Sequence, residues 1–115
     1  MSRILTKKSI AALLKLRKRD SNKSHYGHAL LVAGNTGKMG AAVLAARACL
    51  RSGAGLTTVN VPKAERSILQ TAAPEAMLIE RETEMILLEK FTAAGMGPGM
   101  GIQKKDEARF YQLLV

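Results

Sequence analysis

A chain of 115 residues, 47% hydrophobic, carries 18 Lys and Arg against 9 Asp and Glu, for a formal net charge of +9. At this length one small domain buries only about 65% of its unfolded surface, and the lone Cys49 excludes an internal disulfide or a cysteine-based metal centre and reads as a buried thiol in a reducing cytoplasm. The only aromatics are Tyr26, Phe91, Phe110 and Tyr111, without Arg–aromatic interleaving, so no stacking platform for nucleic acid is expected and the excess charge suits equally a missing acidic portion or the steering of a phosphorylated ligand.

In chain order, Thr6 is placed to cap a helix over 7–16, with Ile10, Leu13 and Leu14 on one face and basic residues on the other. Lys15 breaks that apolar stripe too early for a signal-peptide core or a membrane span, which points to a soluble cytoplasmic protein with no membrane partner. His28 to Ala33 is a continuous apolar run, the pattern of a strand covered on both faces. Residues 40–52 are Ala-rich and helical, with Gly53 at the helix end, and small residues there allow close packing on a sheet. Leu56 to Val61 reads as a β-branched strand stopped by Pro62, and Ala64 to Ala72 as a helix ended before Pro74.

Met77 to Ile79 forms a short strand, Met85 to Lys90 leaves helix and strand open, and Thr92 to Met96 is a strand entering a glycine-rich turn. A closing helix is expected over 104–114, with Asp106 and Glu107 complementing its dipole. Strands alternating with helices give a three-layer α/β/α architecture around a mostly parallel sheet. The apolar helical pattern is still running at Val115, so a truncated domain is expected.

Two glycine-rich turns end two of these strands, Gly34-Asn35-Thr36-Gly37-Lys38-Met39-Gly40 and Gly95-Met96-Gly97-Pro98-Gly99-Met100-Gly101. The first has only Asn35 and Thr36 between Gly34 and Gly37-Lys38, with Met39 next, so it is no Walker A loop. Its glycines are spaced by three and the following strand carries Asn60, which departs from a dinucleotide fingerprint. What remains is either a generic strand–turn–helix anion site or a structural turn, and two such turns at strand ends would share one crevice. In the second, Pro98 fixes φ and removes a donor, shaping a rigid wall. His25 and His28 read as structural or solvent-facing, Lys38 as a solvated lysine that could neutralise phosphate, and Glu75 as a residue that orients its loop through backbone hydrogen bonds.

Lys23-x-x-Tyr26-Gly27-His28 through Gly34, Met39 through Ala45, Arg51-Ser52-Gly53-Ala54-Gly55-Leu56, Pro74-Glu75-Ala76 and Gly97-Pro98-Gly99-Met100-Gly101 together resemble, in order, the ADP/ATP-dependent NAD(P)H-hydrate dehydratases. That ribokinase-like family was long labelled as sugar kinases. The resemblance implies a metabolite-repair lyase that removes water from (S)-NADHX or NADPHX at the expense of ADP or ATP with Mg2+. Carried over by position, Ala41 and Gly97 would bind the hydrated nucleotide, with Asn35, Gly40 and Gly99 shaping the pocket. Members commonly have Met-Pro-Gly-Ala where this chain has Lys38-Met39-Gly40-Ala41. The family's later Pro-His-x-Gly-Glu and Gly-x-Gly-Asp segments, the second supplying the catalytic aspartate, have no counterpart here. Residues 1–115 are therefore expected to be the amino-terminal portion of one such domain, carrying no catalytic residue or metal ligand and inactive alone. Homo-oligomers are expected from the family. The alternatives are a ribokinase-like kinase of a sugar or vitamin precursor and, from another class, a noncatalytic basic nucleic-acid-binding module.

Overall fold

The computed structural model describes residues 3–14, 16–105, 107, 108 and 111. A short helix α1 (Lys7–Ala11) is followed by strand β1 (His28–Val32), helix α2 (Met39–Arg51), strand β2 (Leu56–Val61), helix α3 (Arg66–Ala72), strand β3 (Met77–Glu80) and strand β4 (Ala93–Met96). Three 3-10 turns, Lys23–Tyr26, Lys63–Glu65 and Leu88–Lys90, precede β1, α3 and β4. The last of these resolves the stretch that the sequence left open between helix and strand.

All four strands are parallel, in the order β3-β2-β1-β4. Leu31 lies opposite Val59 and Gly95, and Val32 opposite Asn60 and Met96. The chain thus steps outward from β1 through β2 to β3, then crosses back to place β4 on the free side of β1. The direction of winding reverses between β1 and β4, where open α/β sheets form ligand crevices at the strands' carboxyl ends.

The apolar run of β1 is explained by burial on two faces. On one, Val59, Val61, Ala33 and the small residues Ala42 and Ala46 of α2 form a core closed by Leu69 of α3. Side chains as small as alanine bring the α2 backbone near the sheet, and such close packing leaves little room for enlargement. On the other face, Leu30 and Val32 pack with Met100, Ile86, Leu88 and Phe91, so the segment crossing back from β3 covers the sheet. The described residues therefore fill the layer on that face with an extended crossing and a 3-10 turn.

α1 is shorter than its apolar spacing predicts. Thr6 does cap it, through a capping box in which Thr6 and Ser9 exchange side-chain-to-backbone bonds of 2.9 and 3.1 Å. Leu13 and Leu14 are 75% and 68% exposed, however, so no packed surface rewards extending the helix past Ala11. At the other end Lys104, Lys105, Glu107, Ala108 and Tyr111 are helical, while the remainder of the expected closing helix, Asp106 included, lies outside the described residues.

Candidate functional site

The two glycine turns meet. The Gly34 N–H donates to the Pro98 carbonyl at 2.7 Å, and the Gly97 N–H to the Val32 carbonyl at 3.1 Å. Asn35 reaches across, its Nδ2 donating to the Met100 carbonyl at 3.0 Å while its Oδ1 accepts from the Thr36 N–H at 2.9 Å. One amide side chain thereby ties the two corners together.

The glycines divide by what surrounds them. Gly99 has φ +69°, and a Cβ there would lie 2.7 Å from the Ala41 Cβ and 2.8 Å from the Lys38 carbonyl oxygen. Gly34 has φ +80° and is similarly enclosed by Met39 and Ala42. Both are glycine because the turns touch and because L side chains resist this backbone conformation. At Gly40 and Gly97, by contrast, a Cβ would meet nothing within 4 Å. Backbone thus faces open space from both corners.

At the first corner that backbone is rich in donors. α2 begins at Met39, and Lys38, at its N-cap, provides no side-chain capping bond. The first amides of a helix have no acceptor within it, so Met39, Gly40 and Ala41 present N–H groups at the positive end of the helix dipole. Ala41 packs its Cβ toward Gly99, which leaves its amide as the group it can offer a ligand. Beside Gly97 runs a cavity of about 310 Å³ lined by Met96, Met100, Ile102 and Gln103. Asn35 and Ala41 of the first turn thus touch the second turn at Met100 and Gly99, while Gly40 and Gly97 adjoin that seam and, of these two, only Gly97 lines the cavity.

Arg81 carries no signal in the sequence beyond following a short strand, yet it organises this end of the sheet. It is 8% exposed. Its guanidinium donates to the carbonyls of Gly34 and Ala33, both at 2.8 Å, and to Asn60 through the main-chain carbonyl at 2.9 Å and Oδ1 at 3.0 Å. Asn60, which stands where a dinucleotide fingerprint would put an acid, serves as an acceptor for this cation.

A larger cleft, about 640 Å³, opens at the opposite end of β2, lined by Arg17, Lys23, Arg47, Arg51 and Glu75 among others. Two of its cations already have partners. Arg47 donates twice to the Ala72 carbonyl, at 3.2 and 3.0 Å, and Arg17 donates to the Gly53 carbonyl while lying 4.6 Å over the Tyr26 ring. Such bonds serve the carbonyl-rich ends of α3 and α2. Size alone gives the cleft no chemistry. Glu75 is exposed and makes no hydrogen bond among the described residues that would orient its loop, contrary to expectation.

The histidines are structural, as their neighbours indicate. His28 Nε2 lies 2.6 Å from Thr58 Oγ1 with its ring edge-on to Phe91, and His25 Nδ1 accepts from the Asn22 N–H at 3.3 Å. Cys49 is half-buried and accepts from Thr57 Oγ1 at 3.4 Å. Among the described residues no group of three or more His, Cys, Asp or Glu is placed to hold a metal ion, and no helix is long and apolar enough to cross a membrane.

The architecture is ribokinase-like. Structures that superpose on it include a ribokinase-like superfamily protein of Enterococcus faecalis, TM-score 0.83 and 32% identical, covering 96% of this chain and 40% of that one. An ADP/ATP-dependent NAD(P)H-hydrate dehydratase of Bacillus subtilis co-crystallised with ATP and Mg2+ superposes with TM-score 0.82 and 28% identity, covering 95% and 41%. The chain belongs to the NAD(P)H-hydrate dehydratase family, whose profile, described by that name, matches residues 29–114. The ADP-dependent (S)-NAD(P)H-hydrate dehydratase of Listeria monocytogenes is 41% identical over 113 residues, 96% of this chain and 41% of that protein. The Staphylococcus aureus protein of the same name is 42% identical over 92 residues, 77% and 33%. The chain thus spans about two fifths or less of the curated relatives it matches.

Proposed function

We propose that this chain supplies the substrate-side wall of a dehydratase that converts (S)-NADHX or NADPHX to NADH or NADPH at the expense of ADP or ATP. The Gly34–Pro98 hydrogen bond carries the reading, because it joins the donor-bearing start of α2 and the bare backbone of the Gly97–Gly99 turn into one surface. The same family of enzymes is named for this activity in Listeria monocytogenes, and the glycine corners sit at the strand ends where that fold class places ligands.

The chemistry asks for separation of tasks. Hydroxide leaves a carbon poorly, whereas a phosphorylated hydroxyl leaves as phosphate once a ring proton is lost, restoring the reduced nicotinamide. In this reading the amides of Gly40 and Ala41 and the backbone at Gly97 bind and orient the hydrated nucleotide, Asn35 and Gly99 set the spacing between them, and none of the five transfers a proton. Open space over Gly40 and Gly97 fits a ligand lying against bare backbone. An adenine nucleotide supplies the phosphoryl group; no carboxylate cluster among the described residues fits Mg2+, so no residue here is assigned to it. Residues 1–115 would then form the amino-terminal portion of one ribokinase-like domain, in a cytoplasmic homo-oligomer.

The test incubates the product of the whole reading frame with hydrated NADH and ADP or ATP. Recovery of the absorbance of reduced coenzyme together with released phosphate supports the proposal. A phosphorylated alcohol as the stable product would instead make it a kinase, and salt-sensitive binding of DNA without turnover would make it a nucleic-acid-binding module.

A further inference from the structure

One peptide group links Arg81 to the second glycine turn. The Ala33 carbonyl accepts from Arg81 Nη2 at 2.8 Å, and the N–H of the same peptide, belonging to Gly34, donates to the Pro98 carbonyl at 2.7 Å. The next peptide is held as well, since the Gly34 carbonyl accepts from Arg81 Nη1 at 2.8 Å. Both peptides that flank Gly34 are therefore oriented by a buried guanidinium, while Gly40 and Gly97 face open space. Arg81 is itself registered to the sheet, its own N–H donating to the Val61 carbonyl at 2.9 Å and its Nε to Asn60 Oδ1 at 3.0 Å.

We infer that Arg81 is a positioning residue for the dinucleotide, setting the distance between the α2 amides and the Gly97–Gly99 turn through the Ala33–Gly34 peptide. The inference rests on the reading of this crevice as the hydrated-coenzyme site. A planar fork of donors is what three carbonyls and an amide oxygen at the ends of β1 and β2 require. Lysine, with a compact ammonium on a flexible stem, cannot reproduce that span. Because the wall touches the coenzyme alike before and during reaction, loosening it weakens ground state and transition state equally. Such a loss raises KM and leaves kcat unchanged.

The experiment compares wild type, Arg81→Lys and Asn60→Ala in the product of the whole reading frame. The readouts are NADPH binding by coenzyme fluorescence, KM and kcat for hydrated NADH with ADP or ATP, and thermal melting. For Arg81→Lys, assayed below its melting temperature, KM and the NADPH Kd are expected to rise roughly tenfold to a hundredfold with kcat unchanged. Asn60→Ala, which keeps the Ala33 and Gly34 bonds, is expected to shift both constants less and in the same direction. A lowered melting temperature with wild-type KM and Kd would make Arg81 a purely structural clamp and overturn the inference. Should Arg81→Lys not fold, Asn60→Ala decides, and unchanged constants there overturn it equally. A wild-type protein that neither binds NADPH nor turns over hydrated coenzyme would sink the crevice reading and this inference with it, whereas wild-type binding matched by both variants would sink the inference alone.

Discussion

Gly34 and Pro98, 64 residues apart in sequence, are joined by a 2.7 Å hydrogen bond from the glycine amide to the proline carbonyl. Their strands, β1 and β4, are neighbours in the sheet, so the bond continues the ladder beyond the last paired residues, Val32 and Met96. Pro98 has no amide of its own to offer and so takes part through its carbonyl alone. The result is a closed seam between two turns that would otherwise move independently.

Closing that seam requires glycine at position 99. In Gly99→Ala the added methyl would collide with Ala41 Cβ and the Lys38 carbonyl at φ +69°. Left-handed backbone and overpacking together are expected to cost about 2–4 kcal/mol. Urea unfolding would show the loss, and a midpoint matching wild type would mean that the turns do not touch in solution.

Gly40 makes the opposite prediction. Its missing Cβ faces nothing within 4 Å and it sits in the first turn of a helix, where alanine is favoured by up to about 1 kcal/mol. Gly40→Ala should therefore leave stability equal or slightly raised while weakening NADPH binding, because the methyl projects into the space assigned to the ligand. Equal stability with equal affinity would move the ligand elsewhere.

Asn35→Asp separates the two jobs of one side chain. The carboxylate still accepts from the Thr36 amide but meets the Met100 carbonyl as an acceptor rather than a donor. Loss of about 1–3 kcal/mol is expected in thermal or urea unfolding, together with weaker NADPH binding. A variant indistinguishable from wild type in both would remove Asn35 from the site.

Much of this was legible in the sequence for physical reasons. β1 declared itself because a strand buried on two faces is apolar along its length, β2 because β-branched residues run up to a proline stop, and Ala-rich α2 because a helix close to a sheet admits only small side chains. The glycine corners were visible as backbone chemistry. α1 was overread because periodicity registers an apolar stripe but not whether anything covers it, and Leu13 and Leu14 are exposed. Arg81 was invisible for a related reason. An arginine between glutamates reads as surface charge, and only the fold reveals that three strand-end carbonyls converge on it.

The core has its own test in Leu69, fully buried where α3 closes over α2 and β2. Leu69→Ala is expected to cost about 2–5 kcal/mol in urea unfolding. A loss below that range would indicate that α3 repacks or is loosely held.

The most direct test of the shared wall is an amide chemical-shift titration of the isotopically labelled product of the whole reading frame with NADPH. The amides of Gly40, Ala41 and Gly97 are predicted to shift together along one saturating curve. Shifts confined to a single turn, or gathered instead around Arg47, Arg51 and Glu75, would contradict the account.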